Sequence, residues 1–408
     1  MTISVDEANT QPSPARSPLA AGRARLRILF LVSRDIRHPA NTGGDIGLWE
    51  RAQYLAEVGH EVTLIASTFQ GAAREEMIDG IKVVRIGGLL SMWWRTFVFY
   101  IRHCRGKYDV VVVEGFGGSR IPRFTPLYVT EPIVTEWHQI HSALFAVQYP
   151  RVLSPLLNLL ERITARVHRN TIVMARTADW ADTFPSIGFK RENIRIVPAC
   201  ISQEWLEADH PTGVAGPNFI WLGKFRRYKC PDHAIRAMKH VIASVPEAKL
   251  TLAGFHDDRV YEAELQELAH KLGIDNNITF RFGISSEEKR ASIDACRALV
   301  LPSTVEGFGI VVLEANGRRV PVIASSGVPE GAVRDGGNGL RYKFGRIDDL
   351  ARCLIRVATD NRLFAQLSAE SYAFAQQFEW RAVCSRYEQV LIDAFHSVDR
   401  RQRVEPHS

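Results

Sequence analysis

The 408-residue sequence contains no apolar run near the ~18 residues needed to span a bilayer as a helix. Its six cysteines, at 104, 200, 230, 296, 353 and 384, form no C-x-x-C pair. Scattered in this way they read as free thiols in a reducing compartment and not as a disulfide or zinc framework. Zinc-finger spacing and an aromatic RNA-binding signature are both missing, so nucleic acid is not an expected partner. No short-period repeat is visible. The first glycine-rich turn is not G-x-G-x-x-G, which leaves little support for a dinucleotide site.

What is present is ordinary for a soluble globular protein: 46% apolar and 24% charged residues. The net charge of +6 suits nucleotides, phosphorylated sugars or an anionic membrane surface. A chain of this length exceeds what one core supports, so two domains of about 150–200 residues are expected. Residues 1–25, rich in Ser, Pro, Ala and Arg, read as a disordered tail. The apolar run from Leu26 contains Arg27 and lacks a cleavage site, so it reads as a strand and not a signal peptide. A cytoplasmic location is the expectation.

Residues 26–199 open with strand, glycine-rich turn, helix, strand, the pattern of a parallel sheet. The turn carries Asn41-Thr42-Gly43-Gly44, where backbone amides could meet a phosphate or simply make a turn. Two apolar strands then end in Glu114 and in His138. Ligands of open parallel sheets bind at such carboxyl ends, which raises both residues above generic polar positions. His138 and His141 have i, i+3 spacing, but two histidines are thin grounds for a metal. Ahead of the first of these strands, Ser91–Arg102 carries Trp93 and Trp94 with Arg95 and Arg102. It reads as a core-packed helix with solvated basic ends or as one lying on an anionic surface, and ordinary burial favours the core. Residues 153–167 form a long amphipathic helix.

Pro and Gly interrupt the pattern over 200–217, an interdomain linker, and the alternation restarts over 218–378. Residues 379–408 hold a last helix and a tail, the helix expected to cross back to the N-terminal domain. The architecture expected is α/β, with two doubly wound Rossmann-like domains facing a cleft.

Three features of the second half could carry chemistry. Gly223-Lys224-Phe225-Arg226-Arg227-Tyr228-Lys229 sets four cations in six residues just past a strand, a patch suited to a diphosphate leaving group. Taken alone it reads first as a solvated basic loop. Glu306-Gly307-Phe308-Gly309 reads as a turn from a buried strand into a helix containing Glu314, so free amides and the helix dipole could face an anion. A capping Glu306 and a solvated Glu314 are the plainer reading of the pair taken alone, and Val311-Val312 also suit a buried strand. The turns Ser325–Glu330 and Asp335–Gly339 bring more backbone to the same place.

Together these segments resemble the retaining glycosyltransferases of family four, which have the GT-B fold. The resemblance covers nearly the whole chain from Leu26. It is strongest in Glu306-Gly-Phe-Gly-Ile-Val-Val-Leu-Glu314, similar to that family's E-x7-E motif, and includes Gly59-His60-Glu61-Val62 and Gly223-Lys224 followed by Lys229. It implies a nucleotide diphosphate sugar as co-substrate and an acceptor that it does not name. It further implies that Glu306 and the amides of Gly307, Phe308 and Gly309 hold the donor sugar and departing phosphate. Glu314 would bind the ribose, and Lys224 and Lys229 would neutralise the diphosphate, so that no metal and no other cofactor is needed. Gly44 would lie near the phosphates and His138 would contact the sugar. Glu114 is an acceptor-side candidate with no matched pattern. The sequence departs from the family in Lys224, where arginine is usual, and in Cys230-Pro231, where a glycine often follows the second lysine. An epimerase of the same architecture and a catalytically silent membrane-docking scaffold are the rival readings.

Overall fold

The computed structural model describes residues 25–88, 91–116, 124–206 and 216–404. The tail expected before residue 25 and positions 207–215 of the expected linker lie outside them. Eight strands form one sheet: β1 (Arg27–Leu31), β2 (Glu61–Ala66), β3 (Glu75–Ile78), β4 (Ile81–Arg85), β5 (Val110–Glu114), β6 (Ile133–Glu136), β7 (Ile172–Ala175) and β8 (Ile194–Ile196), in the order β3-β4-β2-β1-β5-β6-β7-β8. Six form the other: β9 (Asn218–Lys224), β10 (Lys249–Phe255), β11 (Ile278–Phe282), β12 (Ala298–Leu301), β13 (Val322–Ser325) and β14 (Gly339–Tyr342), in the order β11-β10-β9-β12-β13-β14. Both sheets are Rossmann-like, as the alternating pattern required.

Contacts divide the chain into two compact units. The first runs to Val113 and includes Tyr128–Ile133 and the chain from Phe395. The second holds Glu114–Leu127 and Val134–Ala394.

In the first unit β1 lies parallel between β2 and β5, with Leu29 opposite Thr63 and Val111. Leu29, Leu31, Ile65, Val111 and Val113 are buried together, as expected for strands covered on both faces. The strand β3 is absent from the sequence reading. Its Glu-Glu-Met-Ile offers no apolar run, yet it pairs antiparallel with β4 across a two-residue turn. The turn is Asp79-Gly80, both at positive φ, the Asp-Gly signature of such hairpins. The helix Gly43–Glu57 starts after Thr42, whose backbone N–H donates to Asp45 Oδ2 at 2.7 Å. Gly44 is exposed in its first turn.

The Trp93–Trp94 helix is only half sunk into the core. In Met92–Phe99 and the π-helical turn Tyr100–Cys104 that follows, Met92, Thr96, Tyr100 and Cys104 point inward. Trp93 and Trp94 remain 50% and 46% exposed, with Phe97 and Ile101 beside them. The reading favoured from burial preferences therefore fails for the aromatic face. Tyr100 has taken the inward place and donates its hydroxyl to Glu131.

In the second unit β9 is central, and its side chains alternate between two cores. Phe219 and Trp221 pack with Ile235, Met238, Leu250 and Leu252 on one face. Ile220 and Leu222 pack with Leu299, Leu301, Phe308 and Leu313 on the other. The start of the expected linker is not loose: Ile201, Trp205 and Leu206 are buried in this second core. The last helix runs over Trp380–Val404.

Candidate functional site

The helix Ile310–Gly317 begins at Gly309, whose φ of +83° is available cheaply only to glycine. The preceding loop is pinned from several sides. The Glu306 amide donates to the Gly327 carbonyl at 3.1 Å. The Trp180 indole N–H donates to the Glu306 carbonyl at 3.0 Å. Phe308 turns inward against Phe378, so what its position offers a ligand is backbone. Gly327 must be a glycine, since a Cβ there would lie 2.2 Å from the Thr304 carbonyl oxygen.

Glu306 is buried, and its Oε1 accepts from both Lys229 Nζ and Ser303 Oγ, each at 2.6 Å. Burial alone would lower the Lys229 ammonium, but the adjacent Glu306 carboxylate outweighs it and holds the lysine above its ordinary range. A charged pair set in and beside the loop that leads into a helix N-terminus suits a site whose ligand is itself anionic. Glu314, a turn further on and also buried, is held by Lys289 Nζ at 2.5 Å. Lys289 also lies 5.4 Å over the Trp205 ring.

The expected cationic patch is largely neutralised within the protein. Arg226 makes a two-pronged pair with Asp257 at 2.7 and 2.9 Å. Arg227 meets Glu264 at 2.8 Å. Lys224 ends β9, and Lys229 faces Glu306. The reading of four available charges gives way to one lysine, Lys229, set against Glu306 and two arginines committed to the scaffold. Cys230, after Lys229, sits at φ +48°, and with Asp232 and His233 it sets three potential ligand atoms within 4.8 Å of one another. Its thiol donates to the Arg227 carbonyl, and burial pushes it up to about 11, so it is held protonated. Asp232 accepts from the Tyr261 hydroxyl at 2.8 Å.

His138 is brought against the loop. A Cβ on Gly307 would lie 3.0 Å from the His138 carbonyl oxygen and 3.4 Å from its Cβ. The imidazole orientation is set by Arg176, whose Nε–H donates to His138 Nδ1 at 3.1 Å. In the neutral ring the remaining proton is then on Nε2, a donor. Arg176 is held by Glu136, Nη2 to Oε2 at 2.6 Å, both side chains nearly inaccessible. Asp179 Oδ2 accepts from the Gly331 amide at 2.9 Å and ties a further turn to the same region.

The structure thus gathers Glu306, Gly307, Phe308, Gly309, Lys229 and His138 in one place, with Glu314 on the adjoining helix. Glu114 is buried at the end of β5 in the same unit. Gly44 belongs to the first unit, at its own helix N-terminus. Sequence reasoning missed Ser303, Trp180, Arg176, Glu136 and Lys289. Only Arg176 and Glu136 gave a signal, as charged residues at the carboxyl ends of apolar strands.

Residues 207–374 match the family described as glycosyl transferases group 1, and residues 42–200 match the glycosyl transferase 4-like domain. A D-inositol 3-phosphate glycosyltransferase of Streptomyces scabiei is 32% identical over 196 residues, 46% of this chain and 44% of that protein. The chain thus matches less than half of that relative's length. Among solved structures, a sucrose-phosphate synthase from Thermosynechococcus elongatus superposes with a TM-score of 0.77 at 18% identity, covering 91% of this chain and 100% of that one. HepE of Anabaena, in complex with UDP and glucose, gives 0.68 at 18% identity over 90% and 99% of the two chains. At such identities the likeness is one of fold, two Rossmann-like sheets of the GT-B type.

Proposed function

The chain belongs to the group 1 glycosyl transferases, and we propose that it moves a sugar from a nucleoside diphosphate to an acceptor hydroxyl with retention at the anomeric carbon. The observation that carries this reading is the Lys229–Glu306–Ser303 cluster at the loop leading into Ile310–Gly317, with His138 packed on Gly307. As the bond from the anomeric carbon to phosphate oxygen breaks, negative charge grows on the diphosphate. Lys224, Lys229 and the amides of Gly307, Phe308 and Gly309 meet that charge, so a divalent metal is not required. Glu306 orients Lys229 and receives the donor sugar, while the Nε2–H of His138 donates to a sugar hydroxyl. Glu314, with Lys289, takes the ribose. Glu114 serves the acceptor side. The complex of HepE with UDP and glucose supports a uridine diphosphate sugar as donor.

Incubation with a panel of nucleotide sugars and acceptors tests this reading. Acceptor-dependent nucleotide release, undiminished by a chelator, is expected. Absence of release with every pair, together with unchanged nucleotide binding in Lys229→Ala, refutes it. Conversion of the donor to an isomer without an acceptor would instead identify an epimerase. The exposed Trp93 and Trp94 support peripheral association with an anionic membrane and thereby a second reading, a silent docking scaffold. Vesicle binding that survives Glu306→Gln, with no turnover by the parent, would decide for the scaffold.

A further inference from the structure

The helix Ser154–Val167 exposes an apolar stripe. Leu156 and Leu159 are each 51% exposed, Leu153 44% and Ile163 38%, and Val152 just ahead of the helix is 83% exposed. At 100° per residue these side chains fall in a sector about 120° wide. The buried face is a different one, carrying Glu161, Thr164 and Ala165. The core is therefore already served, and the outward sector is where a solvated helix would carry polar residues.

The charge along the stripe has one sign. Arg162 and Arg166, four residues apart, line one edge, and Arg151 precedes it; all three are exposed. None of them enters an ion pair among the described residues. The acid of the helix, Glu161, is buried and held by His141 Nδ1 at 2.6 Å.

We propose that this face docks the chain on an anionic lipid bilayer. The helix lies in the interfacial plane, its apolar sector among the acyl chains and its arginines at the lipid phosphates. A second copy of the chain is a poorer occupant. A two-fold interface would set the stripe against itself and Arg162 and Arg166 against their own copies, with no acid on the face to answer them. The surface is separate from Trp93–Trp94 and does not depend on the sugar-transfer reading.

The test is co-sedimentation of the full chain with phosphatidylcholine vesicles, with and without phosphatidylglycerol. Binding is expected only with the anionic lipid and should weaken as salt rises. Leu156→Gln and Leu159→Gln should each lower the partition coefficient about tenfold. Arg162→Ser and Arg166→Ser should each lower it about fivefold. Because these positions are exposed, melting and nucleotide binding should stay at the parent's values. Equal binding of the Leu156→Gln/Leu159→Gln protein and the parent would overturn the proposal. So would equal binding to both vesicle types, or loss of binding only in Trp93→Ala/Trp94→Ala. Concentration-dependent dimerisation abolished by the leucine substitutions would overturn it too, by assigning the face to a second copy.

Discussion

Replacing Lys229 with methionine keeps the aliphatic stem and removes the ammonium that faces Glu306. The two charged atoms are 2.6 Å apart, and the side chains are 18% and 8% exposed. Breaking a fully buried pair leaves a stranded charge and costs about 3–5 kcal/mol. The residual exposure of Lys229 and the surviving Ser303 hydroxyl bond reduce that to about 2–4 kcal/mol. In a domain of this size the melting temperature should fall by roughly 5–12 °C. Glu306→Gln removes the carboxylate instead, so in Lys229→Met/Glu306→Gln much of the loss should be recovered. Calorimetric melting of the four proteins closes the double-mutant cycle.

The sign with pH is fixed. Lys229 is raised above its unfolded value, so its contribution is fully present below about pH 10.4 and is lost only as pH rises through the folded value. The difference between parent and Lys229→Met should therefore be flat across neutral pH. Ligand binding separates the charge from the fold. Nucleoside diphosphate should bind Lys229→Met more weakly and Glu306→Gln at least as tightly as the parent, because the second change releases the lysine. A Lys229→Met protein that melts with the parent, or a Glu306→Gln protein that loses nucleotide affinity, would refute the reasoning.

Arg176→Gln takes away the donor to His138 Nδ1 and strands Glu136. Transfer should fall about 10²-fold in kcat with little change in nucleotide affinity, and the nitrogen chemical shifts of the His138 ring should report a changed tautomer. Gly307→Ala drives a Cβ to 3.0 Å from the His138 carbonyl and should depress transfer well before it depresses the melting temperature. Gly327→Ala meets the Thr304 backbone, which cannot swing aside, so the melting temperature itself should drop by several degrees. Trp180→Phe removes the indole donor to the Glu306 carbonyl and should cost about 1 kcal/mol in thermal unfolding.

Much of the site was legible before the structure because its elements are local. Gly307 and Gly309 announce a sharp turn, the following residues have helical spacing, and the lysines lie just past a strand. The exposed face of the Trp93–Trp94 helix was not legible. Its inward residues, Met92, Thr96, Tyr100 and Cys104, are mixed in polarity, so hydropathy pointed to the wrong side. The cationic loop was misjudged for a related reason. Asp257 and Glu264 neutralise two of its arginines from positions 31 and 37 residues away, and spacing alone assigns no partner at that range.

The sequence by itself determined the two Rossmann-like sheets, because buried parallel strands leave long apolar runs and their crossovers leave helical periodicity. It also determined the order of the glycine turns that bring backbone to a ligand. Only the tertiary structure decided which charges stay available at the site. Lys229 shares Glu306 with Ser303, Lys289 holds Glu314, and Arg176 orients His138. These contacts join residues far apart in the chain, and their strength depends on distance and burial, which are properties of the folded chain.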